Sequence, residues 1–277
     1  MAEFWTRYRR NRAAVLGLGI LFTILFMAAT AHLFYPEDPF RLVGRPLSGP
    51  LENGFLLGSD SLGRDVASGI VHGAKTSLLI GLIATLVSIF IGIFFGAFSG
   101  YFGGRVDDLL MRVTEIFQTI PSFIFAILLV AIMKPSIFSI VIAIAVVSWP
   151  GVARLVRGEF LSLKNREFVQ ACHTIGMSDL RVMLREILPN CLSPIIVIGS
   201  LMVATAILIE SGLAFLGLGD PNIMSWGFQI GAGRTMLRSA WWVCTLPGIA
   251  ILITVLAINL IGEGLNDALN PRLKERQ

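Results

Sequence analysis

The sequence predicts an all-α integral membrane protein with six transmembrane helices, on three observations. Of its 277 residues 55% are hydrophobic and only 14% charged, with a mean hydropathy of +0.78, which is too apolar for an ordinary water-soluble domain. Six stretches contain no Asp, Glu, Lys or Arg, at 13–36, 76–104, 116–133, 135–153, 187–209 and 239–262, each close to or above the roughly 20 residues that carry a helix across the hydrocarbon. With the N-terminus inside, most of the 22 Lys and Arg residues fall on the inner side, from Arg7–Arg12 through Arg154, Arg157, Arg181 and Arg185 to Arg272 and Arg276. That asymmetry marks cytoplasmic segments, so both termini are expected in the cytoplasm. It also accounts for the net charge of +4 without a nucleic-acid partner, since no basic patch is interleaved with aromatics.

Taken in order, the first stretch follows "RYRRNR" and ends near Ala29-Thr30-Ala31, which imitates a secretory signal. Its apolar core is longer than the roughly 7–15 residues of such signals, so it reads as the first span. An outer loop follows at 35–75, punctuated by Pro36, Pro39, Pro46, Pro50 and many glycines. This composition predicts turns and short pieces, and a boundary near residue 74 separates segment 1–73 from a five-helix core at 74–263 and a tail at 264–277. In the second span Gly92, Gly96 and Gly100 repeat every four residues and offer one face for close helix contact. The third opens with Asp107, Asp108, Arg112 and Glu115. Asp108 with Arg112, and Arg112 with Glu115, have the i, i+4 and i, i+3 spacings of helical ion pairs, and Pro121 is expected to bend the helix. Glu210 lies near the outer end of the fifth span, where it either lines a pathway or pairs with Arg234 or Arg238. The last span places Asn259, Glu263, Asn266 and Asn270 on one polar stripe, expected to pack against the cytoplasmic segment that joins the fourth and fifth spans. The three cysteines, Cys172, Cys191 and Cys244, have no metal-ligand spacing and read as packing residues.

That cytoplasmic segment is amphipathic. Phe168, Ala171, Cys172 and Ile175 fall at i, i+3, i+4 and i+7, with Glu167, Gln170, His173 and Thr174 on the other side. Gly176 is expected to stop this helix and Ser178 or Asp179 to cap another, in which Leu180, Met183, Leu184 and Ile187 repeat the spacing until Pro189 ends it. Two short helices, each with an apolar face, either lie flat on the inner leaflet or pack beneath the protein's own spans, or one of them inserts into a groove on a soluble partner.

Gln170-Ala171-Cys172, Gly176 and Ile187-Leu188-Pro189 resemble the Glu-Ala-Ala loop of binding-protein-dependent ABC importer permeases. Further stretches are similar to the second-subunit type of the dipeptide and oligopeptide branch: "LGSDSLGRDVASGIVHGAKTSL" (57–78), "SWPGVARLVRGEFLSLKNREFVQA" (148–171), "ESGLAFLGLG" (210–219), "SWG" (225–227) and "NDALNPRL" (266–273). The resemblance implies a type I ABC importer transmembrane fold, with Glu167 to Gly176 as the coupling helix that docks on an ATPase subunit. It implies a second, non-identical permease, two ATPases that hold ATP and Mg, and an extracytoplasmic solute-binding protein. Asp60, Arg64, Asp65 and Trp226 are then expected at the outer mouth. Gln170 stands where the family usually has Glu, Cys172 replaces the second Ala, and Glu186 stands where a His often precedes the Ile-Leu-Pro.

No energy source is visible in the chain, because "GIVHGAKT" (69–76) lacks the phosphate-loop spacing, and no cofactor is expected within it. An ion-driven secondary transporter would place several ionisable residues near the midplane, where only Glu210 is a candidate. A membrane-embedded enzyme would need a partner for His32, His72 or His173, and none is evident. Di- and oligopeptides are the cargo the branch suggests, with nickel, glutathione or another small solute as alternatives on the same architecture.

Overall fold

The structure, a computed structural model, describes residues 2–269. Asn270 and the basic residues Arg272, Lys274 and Arg276 of the expected tail lie outside the described residues.

Helix α1 (Ala2–Arg10) leads into α2 (Arg12–Ala29), the first membrane helix, whose start is capped by the Asn11 side chain accepting from the Ala14 N–H. A single turn, α3 (Ala31–Phe34), precedes the long loop. Helix α4 (Val66–Phe102) is 37 residues long and begins where Asp65 accepts the Ala67 N–H. The division drawn near residue 74 therefore falls inside α4, and the loop ends ten residues earlier than its glycines suggest. That loop is short paired pieces, as its punctuation predicts. Ser59 Oγ accepts from the Ser48 N–H, and the Val43 and Gly44 N–H groups reach the Gly63 carbonyl.

Helices α5 (Gly104–Thr119) and α6 (Ser122–Met133) meet at a bend of 83°. Pro121 bends the third span as expected, and far enough to break it: α6 has 12 residues, about 18 Å of helix at 1.5 Å per residue, too short to cross alone. Helix α7 (Ile137–Leu163) and the short α8 (Glu167–Thr174) follow. A turn of helix, α9 (Asp179–Arg181), runs through a π-helical turn at Val182–Ile187 into α10 (Leu188–Phe215). Pro189 does not end a helix there, contrary to expectation. In a regular helix its ring would meet the carbonyl of residue 185, and the wider turn, in which the Leu188 N–H reaches back to Met183, relieves it. Helix α11 (Trp226–Gly233) and the long α12 (Trp242–Leu269) complete the chain. Among the described residues five helices are long and apolar enough to cross a membrane, or six with the bent pair taken as one span.

Their outward faces carry Phe22, Phe26, Phe90, Leu252 and Leu256, all exposed, as suits lipid rather than water. Helices in lipid gain nothing from hiding such side chains from one another and associate instead where small residues let backbones approach. Helix α4 is built for this. Gly69, Gly73, Ser77, Gly81, Ser88, Gly92, Gly96 and Gly100 are all buried along it, and a methyl group at Gly92, Gly96 or Gly100 would collide with Val152, the Ala153 carbonyl or Phe160 of α7. The glycine face seen in the sequence is thus filled within the chain.

Two expected pairings are replaced. Asp107, rather than Asp108, forms the ion pair of α5, and its partner is Arg157 on α7. The inner end of α12 packs on α1 and α2, where Gly264 meets Ala14 and Tyr8 and the Asn11 side chain donates to Asp267 at 2.9 Å. Its polar stripe residues Asn259, Glu263 and Asn266 remain exposed. The reason lies in size: the small Gly264 and Ala268 face admits another helix, and the stripe does not.

Replacing Gly96 by Val should destabilise the purified protein by about 1–3 kcal/mol of overpacking, seen as a lower thermal midpoint in detergent. Gly19→Ala, at a glycine with no heavy atom within 4 Å of the added carbon, should leave it unchanged. Equal midpoints for the two variants would contradict the close α4–α7 contact.

Candidate functional site

Glu167 to Gly176 folds as a helix because local signals agree. Arg166 is extended at the cap position and Glu167 sits in the first turn, its negative charge suiting the positive end of the helix dipole. The end is a Schellman motif: the Met177 N–H bonds to the Cys172 carbonyl at 3.0 Å and the Gly176 N–H to that of His173 at 2.9 Å. Gly176 has φ +80°, a conformation that a β-branched residue adopts only under strain. Met177 and Cys172, which the motif brings together, both pack on the core around Phe160 and Val182.

The inward face differs from the expected one. Val169 is fully buried, with Cys172 half-buried beside it, against the ends of α7 and α10. Phe168, Ala171 and Ile175 instead point away from the chain, Ile175 at 76% exposure, and Leu180 and Leu184 continue this edge beyond the glycine. The same spacing of apolar residues fits either face, and Val169 supplied the anchor. Gln170 donates to the Asn165 carbonyl at 3.2 Å, closing the turn ahead of the helix.

One residue that sequence reasoning did not single out connects this segment to the bundle. The Tyr101 hydroxyl, near the end of α4, donates to Asp179 at 2.7 Å and lies 3.4 Å from His173 Nε2, so it touches both short helices. Nearby, Arg157 makes two 2.6 Å bonds to the Asp107 carboxylate, which also accepts from the Ser99 hydroxyl. No local spacing signals either contact, because the partners lie 50 or more residues apart.

At the opposite end, Asp60, Arg64 and Asp65 form the turn that starts α4. Asp60 accepts from the Leu62 and Arg64 N–H groups, and the Arg64 guanidinium lies over the rings of Phe40 and Phe228, 5.1 and 5.9 Å from their centres. Burial pushes the Asp65 carboxyl above its ordinary range, and N–H bonds from Ala67 and Ser68 oppose the shift. Trp226 is fully buried, its indole N–H on the Ile70 carbonyl at 2.9 Å and its backbone N–H on Ser77. Glu210 is 1% exposed and pairs with neither arginine. It accepts from the Ser225 hydroxyl at 2.7 Å, while the same Ser225 oxygen caps α11 by accepting the Phe228 N–H. Arg234 donates instead to the Phe215 carbonyl. Among the described residues no group of His, Cys, Asp and Glu could hold a metal ion.

The chain is similar to proteins of a known family. Residues 92–275 match the family model described as binding-protein-dependent transport system inner membrane component, and residues 1–47 match the N-terminal TM domain of oligopeptide transport permease C. The dipeptide transport system permease protein DppC of Escherichia coli (strain K12) is 45% identical, covering 99% of this chain and 94% of its own length. The di/tripeptide transport system permease protein DppC of Pseudomonas aeruginosa (strain UCBPP-PA14) is 42% identical, covering 99% and 93%. Among solved structures, the MetNI methionine ABC transporter matches with a TM-score of 0.60 at 16% identity, over 73% of this chain and 96% of that one. An amino acid ABC transporter with histidines matches at 0.56 and 13%, over 76% and 95%. These structures share the fold, that of type I ABC importer transmembrane subunits.

Removal of the Tyr101 hydroxyl by Tyr101→Phe should loosen α8 without unfolding the bundle. The expected result is faster hydrogen exchange at residues 167–177 with unchanged exchange in α10 and α12. Uniform exchange across the chain would contradict the tether.

Proposed function

The chain belongs to the family of binding-protein-dependent transport system inner membrane components, and from that premise we propose that it is one permease subunit of an ATP-driven importer of di- and oligopeptides. The supporting observation is the apolar edge of Phe168, Ile175, Leu180 and Leu184, held out from the chain by a helix whose other side is anchored. A groove on a soluble partner is the natural place for such an edge, and the relatives named as dipeptide permeases supply the cargo class.

In this reading α8 faces the cytoplasm, where the basic residues collect, in a bacterial inner membrane. Two ABC ATPases bind there, holding ATP and Mg, and this chain contributes Glu167, Phe168, Gln170, Ala171, His173, Ile175 and Gly176 to the contact, while Cys172, expected there as well, is turned to the core. Motion of α8 on ATPase closure passes through Tyr101 to α4. A second, non-identical permease completes the pathway. The extracytoplasmic binding protein delivers peptide to the opposite face, at the turn of Asp60, Arg64 and Asp65, with buried Trp226 as its support. Glu210 braces α10 against α11 through Ser225.

The test is reconstitution of this chain with the second permease, both ATPases and the binding protein in liposomes. ATP-dependent accumulation of a labelled dipeptide is expected, and failure with peptides but success with another solute would overturn the cargo. Gly176→Val should abolish uptake while ATP hydrolysis continues, and a cysteine introduced at Ala171 should crosslink to an ATPase subunit. Retention of full uptake by Gly176→Val would remove α8 as the coupling element.

A further inference from the structure

We propose that a small chamber between the turn at 60–65 and α11 is a binding site for one water molecule, which joins Arg64 to Asp60 and Gln229 and so makes the turn and α11 a single unit.

The chamber lies at the end of α4 opposite α8. Asp60, Arg64 and Val66 wall it on one side, and Met224, Gln229 and Val243 on the other. The space open to the centre of a water is about 10 Å³, enough for one molecule and for no larger ligand. Val66, Met224 and Val243 are buried, and their apolar side chains offer that water no competing partner.

Two polar atoms of the chamber's walls have no partner in the protein. Arg64 Nε and Gln229 Oε1 are both buried, and neither makes a hydrogen bond with a described residue. Gln229 is only 7% exposed. Turning its amide round does not help, because Nε2 donates to the Val66 carbonyl at 3.2 Å, a bond only the NH₂ side can make. Arg64 is held as well, its guanidinium lying over the rings of Phe40 and Phe228. A third polar atom stands beside them. Asp60 accepts the Leu62 and Arg64 N–H groups through Oδ1, and its Oδ2 is 3.8 Å from Arg64 Nε. That is too long for a direct hydrogen bond and lies in the range where water mediates polar contacts.

The kinds of hydrogen bond on offer select the ligand. There is one donor, the Arg64 Nε–H, and there are two acceptors, Gln229 Oε1 and Asp60 Oδ2. Water accepts the one and donates to the two, and three bonds are the usual number for a buried water. An anion would face two acceptor oxygens, a metal ion would face the guanidinium, and an ammonium has no lone pair to receive Nε–H. Arg64 and Asp60 belong to the turn, whereas Gln229 belongs to α11 and reaches the first residue of α4 through the Val66 carbonyl. The water therefore ties three pieces of chain together.

The experiment exposes the complete transporter in lipid nanodiscs to a brief X-ray pulse, which generates hydroxyl radicals from held water as well as from bulk solvent. Met224 is the reporter, since its thioether is readily oxidised to the sulfoxide while the residue itself is only 6% exposed. Labelling of Met224 is expected in the wild type and in Gln229→Glu, which keeps an acceptor oxygen. Gln229→Leu should show roughly tenfold less, the occupancy that one hydrogen bond is worth. Both variants lose the bond to Val66, so their difference isolates the acceptor. A density map of the wild-type complex that resolves ordered solvent should show one peak within about 3.2 Å of all three polar atoms. An unlabelled Met224 in the wild type, or a map in which Arg64 Nε bonds directly to Asp60 or Gln229, would overturn the site. Equal labelling of the Glu and Leu variants would overturn it too, because solvent would then reach Met224 without the acceptor. The wild-type labelling and the map need no substitution, so they decide the matter even where a variant does not assemble.

Discussion

Everything in this bundle depends on how closely other helices can approach α4. Its buried small residues run from Gly69 to Gly100, about 46 Å of helix at 1.5 Å per residue, and each third of that length seats a different partner. Gly69 and Gly73 meet Gln229 and Trp226 of the α11 region, Gly81 meets Val203 and Ile207 of α10, and Gly92 to Gly100 meet Val152 to Phe160 of α7. In lipid the hydrophobic effect does not hold helices together, so van der Waals contact along such a seam must. Polar bonds then fix the register at both ends. Trp226 is hooked to the Ile70 carbonyl and to Ser77 at one end, and Arg157 to Asp107 and through it to Ser99 at the other.

The membrane helices were legible in the sequence because charge-free length is a direct requirement of the hydrocarbon. Their ends were less so. Helix α4 starts at Val66, well before the charge-free run, because Asp65 supplies a cap and Lys75 can sit on a helix that projects beyond the apolar layer. The third span could be counted but not drawn, since a proline signals a bend without giving its angle. Pro189 was misread as a stop because the π-helical turn that accommodates it leaves no mark in the residue pattern.

Part of the candidate site was legible for the same reason. Gly176 stops α8 through a positive φ that few other residues tolerate, and a glycine after an amphipathic run is a local signal. Which side of α8 faces inward was not legible. Periodicity groups Phe168, Ala171, Cys172 and Ile175 as one apolar face, but a subunit that works in a complex divides its apolar residues between its own core and its partners. Val169 and Cys172 went to the core, and Phe168 and Ile175 did not. Tyr101, Asp107 and Arg157 were missed altogether as contacts, because their partners are brought near only by the packing of α4.

On the proposed coupling role of α8, this arrangement gives a short helix a grip on a long bundle. Helix α8 touches the chain at few points: Val169 and Cys172 in the core around Phe160, and His173 with Asp179 at the Tyr101 hydroxyl. Phe160 belongs to α7 and Tyr101 to α4, the two helices locked by Gly92, Gly96 and Gly100. A push on α8 therefore reaches α4 and α7 together, as one unit, and cannot be absorbed by sliding between them. The 83° break at Pro121 lies on the neighbouring α5–α6 pair, which is joined to α7 through Asp107 and Arg157. On that proposal the stiff pair of α4 and α7 carries a displacement of α8 to the broken span beside it.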